Sequence, residues 1–348
     1  MNRPFPSAGR LRELVGALAD RPVLVFADLV ADRFLAGRPR RISREAPVLI
    51  LEQESDATLP GGGANAAANI RALGGRPLVH GALGDDESGR ALRRELAARG
   101  IDTAGVLERS GFATPTKTRI LGGSATTVKQ QIVRLDSGDR RPLSAEEVAR
   151  LREHAAAALP AVAPPVVAVF SDYGYGAAPC ELLAMVRDLA PEAVTLVDSR
   201  YRLDAYAGAH GATPNQEEAE ALAGRRLDTD EALREHGPVL RSRLGLRFLL
   251  ITRGSRGMAL FQQDRILFLR VSGSDEVTDV TGAGDTVIGT FALALAAGAR
   301  PEEAAALANL AGGVVVHKQG TATAGPAELL RALERDAREL EGVEWDAC

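Results

Sequence analysis

The sequence is poor in the features that would narrow its function quickly. It has two cysteines, Cys180 and Cys348, in 348 residues. That excludes a disulfide framework and a cysteine-built zinc cluster, and the usage fits a reducing compartment. Its N-terminal stretch MNRPFPSAGRLRELVGALADR has no apolar core of the signal-peptide kind, and no apolar run approaches the roughly 18 residues that a membrane span needs. A cytoplasmic chain without a membrane partner is therefore expected. Charge of one sign is also scarce: the net charge of -4 gives no reason to expect nucleic acid as a partner. No GxxxxGK[ST] occurs, which rules out a P-loop on spacing. Repeats and low-complexity tracts are absent, and Ala155–Ala158 reads as helix filler.

The composition, 45% hydrophobic and 25% charged, is that of a globular chain able to bury a substantial core. Short β-rich runs alternate with helical patterns, which predicts an α/β fold with a mostly parallel sheet covered by helices on both faces. The clearest strands are 23–26, 77–80, 166–170, 194–197 and 248–251; residues 86–99, 144–159, 177–190 and 216–224 carry helical periodicity. Two stretches break this rhythm, 34–59 and 112–137, both rich in Thr, Val, Ile and basic residues. They read as extended strands of a small accessory sheet. Such a sheet must bury a face against a substrate or a second subunit, because alone it is only marginally stable.

Near the C-terminal end, Val277 begins a short segment that leads into DVTGAGDTVIG at 279–289. Gly282 and Gly284 permit a tight turn, and the small-residue run from Thr286 to Ala297 is a helix. The turn is therefore a helix N-terminus, whose unpaired N–H groups suit a phosphoryl oxygen. Asp285, in the first turn, could take a proton from an attacking hydroxyl; the plain alternative is a favourable first-turn acid. In PGGGANAAANI at 60–70, three glycines allow close approach of a ligand, and Asn65 can donate to and accept from sugar hydroxyls. Gly61, Gly63 and Ala66 also match a dinucleotide fingerprint, with Asp85 ~20 residues on. That fingerprint needs its first glycine directly at a strand's end, and here the polar stretch from Glu52 to Thr58 and Pro60 intervene, which argues against it.

Thr213-Pro214-Asn215-Gln216-Glu217-Glu218 presents an amide and a carboxylate suited to Mg²⁺ held through water. Thr252-Arg253-Gly254-Ser255-Arg256-Gly257 is a tight loop after a strand, where backbone and Arg253 could meet phosphates. Asp28 and Asp32 sit at the end of the first strand, on the usual ligand side of an open sheet, and could bind vicinal hydroxyls.

These stretches, with LVADRFLAG at 29–37, RISREAPV at 41–48, TKTR at 116–119, IVRLDSG at 132–138 and SDYGYG at 171–176, together resemble the ribokinase-like (PfkB) family of carbohydrate kinases. Within it the similarity points to the heptose 7-phosphate kinases of ADP-heptose synthesis and runs from about Leu11 to Leu333. The resemblance implies one ribokinase-like kinase domain over 1–348 with a β lid, and phosphoryl transfer from ATP with Mg²⁺ to a sugar or sugar phosphate. Asp285 is then the catalytic base, with Gly282, Ala283 and Gly284 as the anion hole. Asn215 and Glu218 serve Mg-phosphate, Thr252, Arg253 and Gly257 the nucleotide, and Asn309 lies beside adenine. Asp28, Asp32, Gly62, Gly63, Asn65 and Asp172 would contact sugar, Asp279 lies near a monovalent-cation site for K⁺, and the lid strands pair two copies into a homodimer. Lys117, Arg119 and Arg134, with Lys129, Arg41 and Arg44, are the lid cations available to a substrate phosphate; the alternative is edge-strand charge guarding against aggregation.

Four residues in three stretches depart from the family. Tyr175 stands where its heptose kinases usually carry Lys, Ser199-Arg200 after Asp198 where they carry Pro-Lys after the aspartate, and Ala27 where the family has Gly. Arg200 is the candidate replacement for a missing lysine. A kinase of another sugar remains open on these grounds, as does a silent sugar or nucleotide sensor. The intact Gly-Ala-Gly-Asp argues against the sensor. An NAD-linked oxidoreductase is the distant alternative.

Overall fold

The computed structural model describes residues 5–124, 129–162, 164–273, 278–341 and 345–347. Val277, read as the start of a segment, lies outside them. The strands are β1 (Pro22–Ala27), β2 (Leu29–Ile42), β3 (Leu49–Gly62), β4 (Arg76–Gly84), β5 (Val106–Arg109), β6 (Thr116–Gly122), β7 (Gln130–Ser137), β8 (Val167–Asp172), β9 (Val194–Ser199), β10 (Gly211–Ala212), β11 (Phe248–Thr252), β12 (Met258–Phe261), β13 (Arg265–Leu269) and β14 (Trp345–Ala347). The helices are α1 (Ala8–Ala17), α2 (Gly63–Ala72), α3 (Glu87–Ala98), α4 (Ala145–Ala158), α5 (Glu181–Leu189), α6 (Gln216–Ala223), α7 (Asp230–Arg243), α8 (Ala283–Ala296), α9 (Pro301–Val315) and α10 (Pro326–Glu341).

Ten strands form the main sheet in the order β14-β13-β12-β11-β10-β9-β8-β1-β4-β5. From β11 to β5 neighbours are parallel, while β11 to β14 pair antiparallel. Strand β1 is buried at every position, as an apolar run without alternation requires when helices cover both faces. One apolar cluster on each side of the sheet fills the space under those helices. Helix α8 is buried from Asp285 to Ala296. Its small residues let it approach α2 closely: a Cβ on Gly289 would stand 2.8 Å from the Ala66 carbonyl oxygen. Among the described residues no helix is long and apolar enough to cross a membrane.

The second sheet has the order β3-β2-β6-β7. Its β2–β3 and β6–β7 pairs are antiparallel, joined by a parallel β2–β6 pair. It starts earlier than expected: one residue, Asp28, separates β1 from β2, so the accessory strands begin at Leu29 and the second ends at Gly62. The strand runs through Glu52 to Pro60 without a break, as the reading of 34–59 as accessory strands expects, which corrects the idea that this stretch separates a strand from Gly61. Those residues belong to β3, whose exposed middle removes the polar–apolar alternation that usually signals a strand. The dinucleotide fingerprint gains nothing from the correction, because the strand before Gly63 is antiparallel to β2 in the small sheet and is no part of the parallel one.

Candidate active site

The parallel strands end on one edge of the main sheet, and two adjoining cavities lie there, the polar one beside the small sheet. The first, about 160 Å³, is lined chiefly by apolar groups, with Met258, Val271, Val280, Val287 and Val316 among them. Asn309 and Gly257 also line it. The second, about 410 Å³, is polar and takes its walls from both sheets and a helix: Asp32, Lys117, Arg119 and Arg134 from the small sheet, Asp172 and Asp198 from the main one with Arg200 just past β9, and Asn215 and Glu218 from the start of α6. Thr252, Val280 and Gly284 border both. The arrangement suits a ligand with a flat apolar end and a highly charged end.

Asp285 lines the polar cavity on the first turn of α8, directly after Gly284, which borders both, and 2% of its surface is exposed. Its Oδ1 accepts a hydrogen bond from the Tyr173 hydroxyl at 2.7 Å, and its Oδ2 accepts from Asn65 Nδ2 at 3.0 Å. Burial pushes the carboxyl up to about 6, against the opposing pull of those two donors and of Lys117. Asn65 also reaches the Gly282 carbonyl at 3.3 Å and is steadied by Asn69, whose Nδ2 donates to the Asn65 backbone carbonyl. Asn65, expected at a sugar hydroxyl, thus orients the acid.

The glycines before Asp285 have separate reasons. Gly282 caps α8 at φ 77°, and a Cβ there would meet Asn65 Nδ2 at 2.4 Å. Gly284 has nothing within 4 Å of where its Cβ would be, so its missing side chain leaves open ligand space. Of the N–H groups expected in the anion hole, that of Ala283 is turned to the Val280 carbonyl at 3.2 Å. Those of Gly282 and Gly284 have no protein partner among the described residues.

Around the polar cavity, Asn215 and Glu218 cap α6 reciprocally: Asn215 Oδ1 accepts from the Glu218 N–H and Glu218 Oε2 accepts from the Asn215 N–H, both at 2.9 Å. The box fixes both side chains at the wall and leaves the Asn215 amide nitrogen and Glu218 Oε1 for a ligand. Burial raises the Glu218 carboxyl. Asp198, which sequence reasoning noted only as part of a departure, lies across from it, held well above the usual carboxylate range by burial and by repulsion from Glu218, Asp285 and Asp172. Two carboxylates that resist ionisation in one cavity fit a divalent cation, which would relieve both. Among the described residues no group of three or more His, Cys, Asp or Glu could hold a metal, so water or ligand oxygens would complete the shell.

Asp32 is buried and forms a two-point ion pair with Arg119, Nε to Oδ1 at 2.9 Å and Nη2 to Oδ2 at 3.4 Å. Arg134 pairs with Asp136 and Lys129 with Glu54. Lys117 and Arg200 form no ion pair among the described residues; they stack on Tyr173 and Tyr201, 5.0 and 5.7 Å from the ring centroids. Asp172 is held by the Gly174 N–H, the Ser199 hydroxyl and both ends of the Arg202 guanidinium. Arg202 had not been singled out in the sequence.

Several expected residues are placed elsewhere. Asp28 does not line either cavity. Its carboxylate accepts the backbone N–H groups of Tyr173 and Tyr175 at 2.8 Å and of Ala177 at 2.7 Å, so it anchors the loop after β8. Arg253 turns away from the apolar cavity to Asp230 and the Phe268 ring, where apolar packing and a carboxylate outcompete the loop's open side. Gly63 lies behind the wall, its absent Cβ 2.2 Å from that of Ala27, whereas Gly62 borders the polar cavity at φ 54°. Asp279 closes the turn before α8, accepting from Thr281 and Gly320 N–H groups at 2.9 Å each. Burial alone would raise its carboxyl, but those bonds outweigh burial and hold it low. Asn309 keeps its place at the apolar cavity, its amide donated to the Arg270 carbonyl at 2.6 Å. Arg41 and Arg44 line neither cavity, and Tyr175 is buried under Arg140. Tyr173 was legible only as part of SDYGYG; an aromatic at a strand end reads first as core.

A family model described as pfkB family carbohydrate kinase matches residues 24–328. The Bifunctional protein HldE of Mesorhizobium japonicum is 39% identical over 335 residues, covering 95% of this chain and 65% of that protein. The Bifunctional protein HldE of Pseudomonas aeruginosa PAO1 is 39% identical over 323 residues, 92% of this chain and 65% of its own length. This chain thus spans just under two thirds of both relatives. Among solved structures, ribokinase of Arabidopsis thaliana complexed with ribose and ATP aligns with a TM-score of 0.70 at 20% identity, over 91% of this chain and 99% of the other. Phosphofructokinase-2 of Escherichia coli aligns at 0.71 and 19% identity, over 90% and 99%. The fold is therefore ribokinase-like, a large mostly parallel sheet with a smaller one beside it. Since the family match runs unbroken through both cavities and the glycine-capped helix between them, the chain belongs to the pfkB family of carbohydrate kinases.

Proposed function

We propose that this chain is a single kinase domain that transfers the terminal phosphoryl group of ATP to a sugar phosphate, with the small sheet as its lid. The observation that carries the reading is the position of Asp285: a buried acid on a glycine-capped first turn, between an apolar slot and a cavity lined with cations. Adenine fits the slot, and the phosphates run past Thr252 and Gly284 toward the start of α8, where free N–H groups and the helix dipole favour negative charge. Asp285 takes the proton of the acceptor hydroxyl as its oxygen attacks phosphorus. Glu218, Asn215 and Asp198 would hold Mg²⁺, which when bound neutralises charge on the phosphates. Asp279, ionised and braced by backbone N–H groups, is the residue that would face K⁺.

The acceptor is the anomeric hydroxyl of D-glycero-D-manno-heptose 7-phosphate. Motif resemblance to heptose 7-phosphate kinases and the identity to proteins named HldE support it. So do the cations: a desolvated phosphate needs charged donors, and Lys117 and Arg200 form no ion pair among the described residues. The test is a panel of sugars and sugar phosphates assayed for ADP release. Lys117→Ala and Arg134→Ala should each raise KM for the phosphorylated sugar ~10-fold, as for the loss of one charge-assisted contact. A better unphosphorylated substrate, with both variants near wild type, removes the heptose 7-phosphate acceptor and leaves a kinase of another sugar.

Cytoplasmic residence and a homodimer belong to the same reading. Ile42, Val48, Leu49, Ile132, Val133 and Leu135, six large apolar side chains between 42% and 67% exposed, all lie on the small sheet or its hairpin turn. A second copy would cover them. Leu135→Asp should weaken the dimer at least ~10-fold by light scattering during gel filtration, with ATP affinity kept. A wild-type chain that is monomeric at micromolar concentration overturns this interface.

A further inference from the structure

Tyr173 stands at a junction that no part of the reading above uses. Its backbone is fixed from below, because Asp28 accepts its N–H and those of Tyr175 and Ala177, while Asp172 accepts that of Gly174. Its ring is fixed from the side. Lys117 of the lid strand β6 lies over it at 5.0 Å, and the position of a Gly62 Cβ would be 3.3 Å from the ring edge. What remains is the hydroxyl, aimed at Asp285 Oδ1 at 2.7 Å.

We infer that Tyr173 is a positioning residue for the acid: with Asn65 on the other oxygen, it locks the carboxylate plane of Asp285 and sets how readily that carboxylate takes a proton. This rests on the kinase reading and deepens it. In the transfer step the acceptor O–H bond breaks, its proton moves to Asp285, and the oxygen forms the new bond to phosphorus as the bond to the departing ADP oxygen breaks. Burial and the nearby acids hold the phenol well above its ordinary range, so Tyr173 stays a donor throughout and neither supplies nor removes the transferred proton. A donor bonds a carboxylate more strongly than a carboxylic acid, so Tyr173 favours the ionised form of Asp285. The other charged groups that bear on Asp285 are Lys117, which favours ionisation, and Asp32 and Asp198, which oppose it; Glu218 acts on Tyr173 and Asp198 beside it.

The inference also explains Asp28. Its carboxylate touches no cavity, yet it holds the loop that aims Tyr173. A chain of fixed contacts therefore runs from the end of β1 to the acid, and its last link is one hydrogen bond.

The test is the single-turnover rate of phosphoryl transfer, by rapid quench at saturating ATP and acceptor, followed from pH 5 to 9 in wild type and Tyr173→Phe. Phenylalanine keeps the ring under Lys117 and removes only the hydroxyl. The wild-type acid limb is expected near the Asp285 value of about 6. In Tyr173→Phe it should move up by about one pH unit, the plateau rate should fall ~10-fold, and the Kd for ATP should stay unchanged. Unchanged ATP affinity shows the variant folded. A limb that does not move overturns the inference, whether or not the rate falls, because a purely structural role would slow transfer without altering the proton affinity of the acid. Loss of ATP binding also overturns it, placing Tyr173 in the framework of the site. A wild-type chain that phosphorylates no sugar or sugar phosphate instead defeats the kinase reading beneath it.

Discussion

Asp285→Asn should lower kcat by ~10²–10⁴ while the Kd for ATP stays within a factor of two or so. The amide cannot take the acceptor proton, and nothing else at the start of α8 can replace it: Tyr173 is a donor and Asn65 an amide. The apolar wall for the nucleotide survives, since Asp285 lines the polar cavity and not the apolar one. The new side chain can still accept from Tyr173. Its N–H₂ must then face Asn65 Nδ2, so Asn65 has to flip and give up its donation to Gly282. A modest fall in Tm is therefore expected alongside the loss of rate. Wild type supplies the companion result. Because burial lifts the Asp285 carboxyl to about 6, the acid is protonated and idle below that pH. The rate of transfer should fall about tenfold per pH unit below 6 and level off above it. A variant retaining half of the wild-type rate removes Asp285 from the mechanism.

Gly284→Val should cost as much for a different reason. Gly282 and Gly284 look equivalent in the sequence, yet one is required by the backbone and the other by the ligand. At Gly282 any Cβ is strained by φ 77° and strikes Asn65. At Gly284 the backbone is helical and the space for a Cβ is empty. Valine there folds without a clash and projects where phosphate must pass. The expected outcome is a Tm within about 2 °C of wild type and an ATP affinity at least ~100-fold weaker, equivalent to roughly 3 kcal/mol of steric conflict. A variant that binds ATP normally shows that phosphate takes another route. The same substitution at Gly282 should reverse the pattern, with stability falling first.

The parts of the fold and site that are legible in the sequence are those whose chemistry is local. A run such as that from Pro22 to Ala27 is a buried strand by its own composition, and Gly-Ala-Gly-Asp is a helix start by its own flexibility and charge. The capping box of Asn215 and Glu218 is equally local, though the pair read first as a Mg²⁺ site and not as a cap. What is not legible depends on partners distant in sequence. Asp28 looks like a free carboxylate until Tyr173, Tyr175 and Ala177 arrive from the end of β8. Arg253 looks like a phosphate ligand until Asp230 and Phe268 pack beside it. Strand β3 shows in the sequence as part of an extended stretch, but where it ends does not, because its polar middle faces solvent; the β12–β13 hairpin hides because its two short runs resemble one buried stretch broken by a turn. Tyr173 carries a role through geometry alone, which no spacing rule encodes.

The way the small sheet joins the rest of the molecule fixes how it can move. Strand β1 passes into β2 with only Asp28 between them, and β3 passes into α2 at the Gly62–Gly63 bond. The first hairpin has no slack tether; it is a rigid arm mounted on two adjacent pivots. Each of its strands has 14 residues, a reach of roughly 46 Å at the usual rise if straight. On such an arm a rotation of about 5° at the pivots sweeps the tip through roughly 4 Å, while Asp32, four residues from Asp28, shifts by about 1 Å. Leverage of this kind makes the outer end sensitive to what binds near the base. It also keeps Asp32 almost stationary while the far end travels.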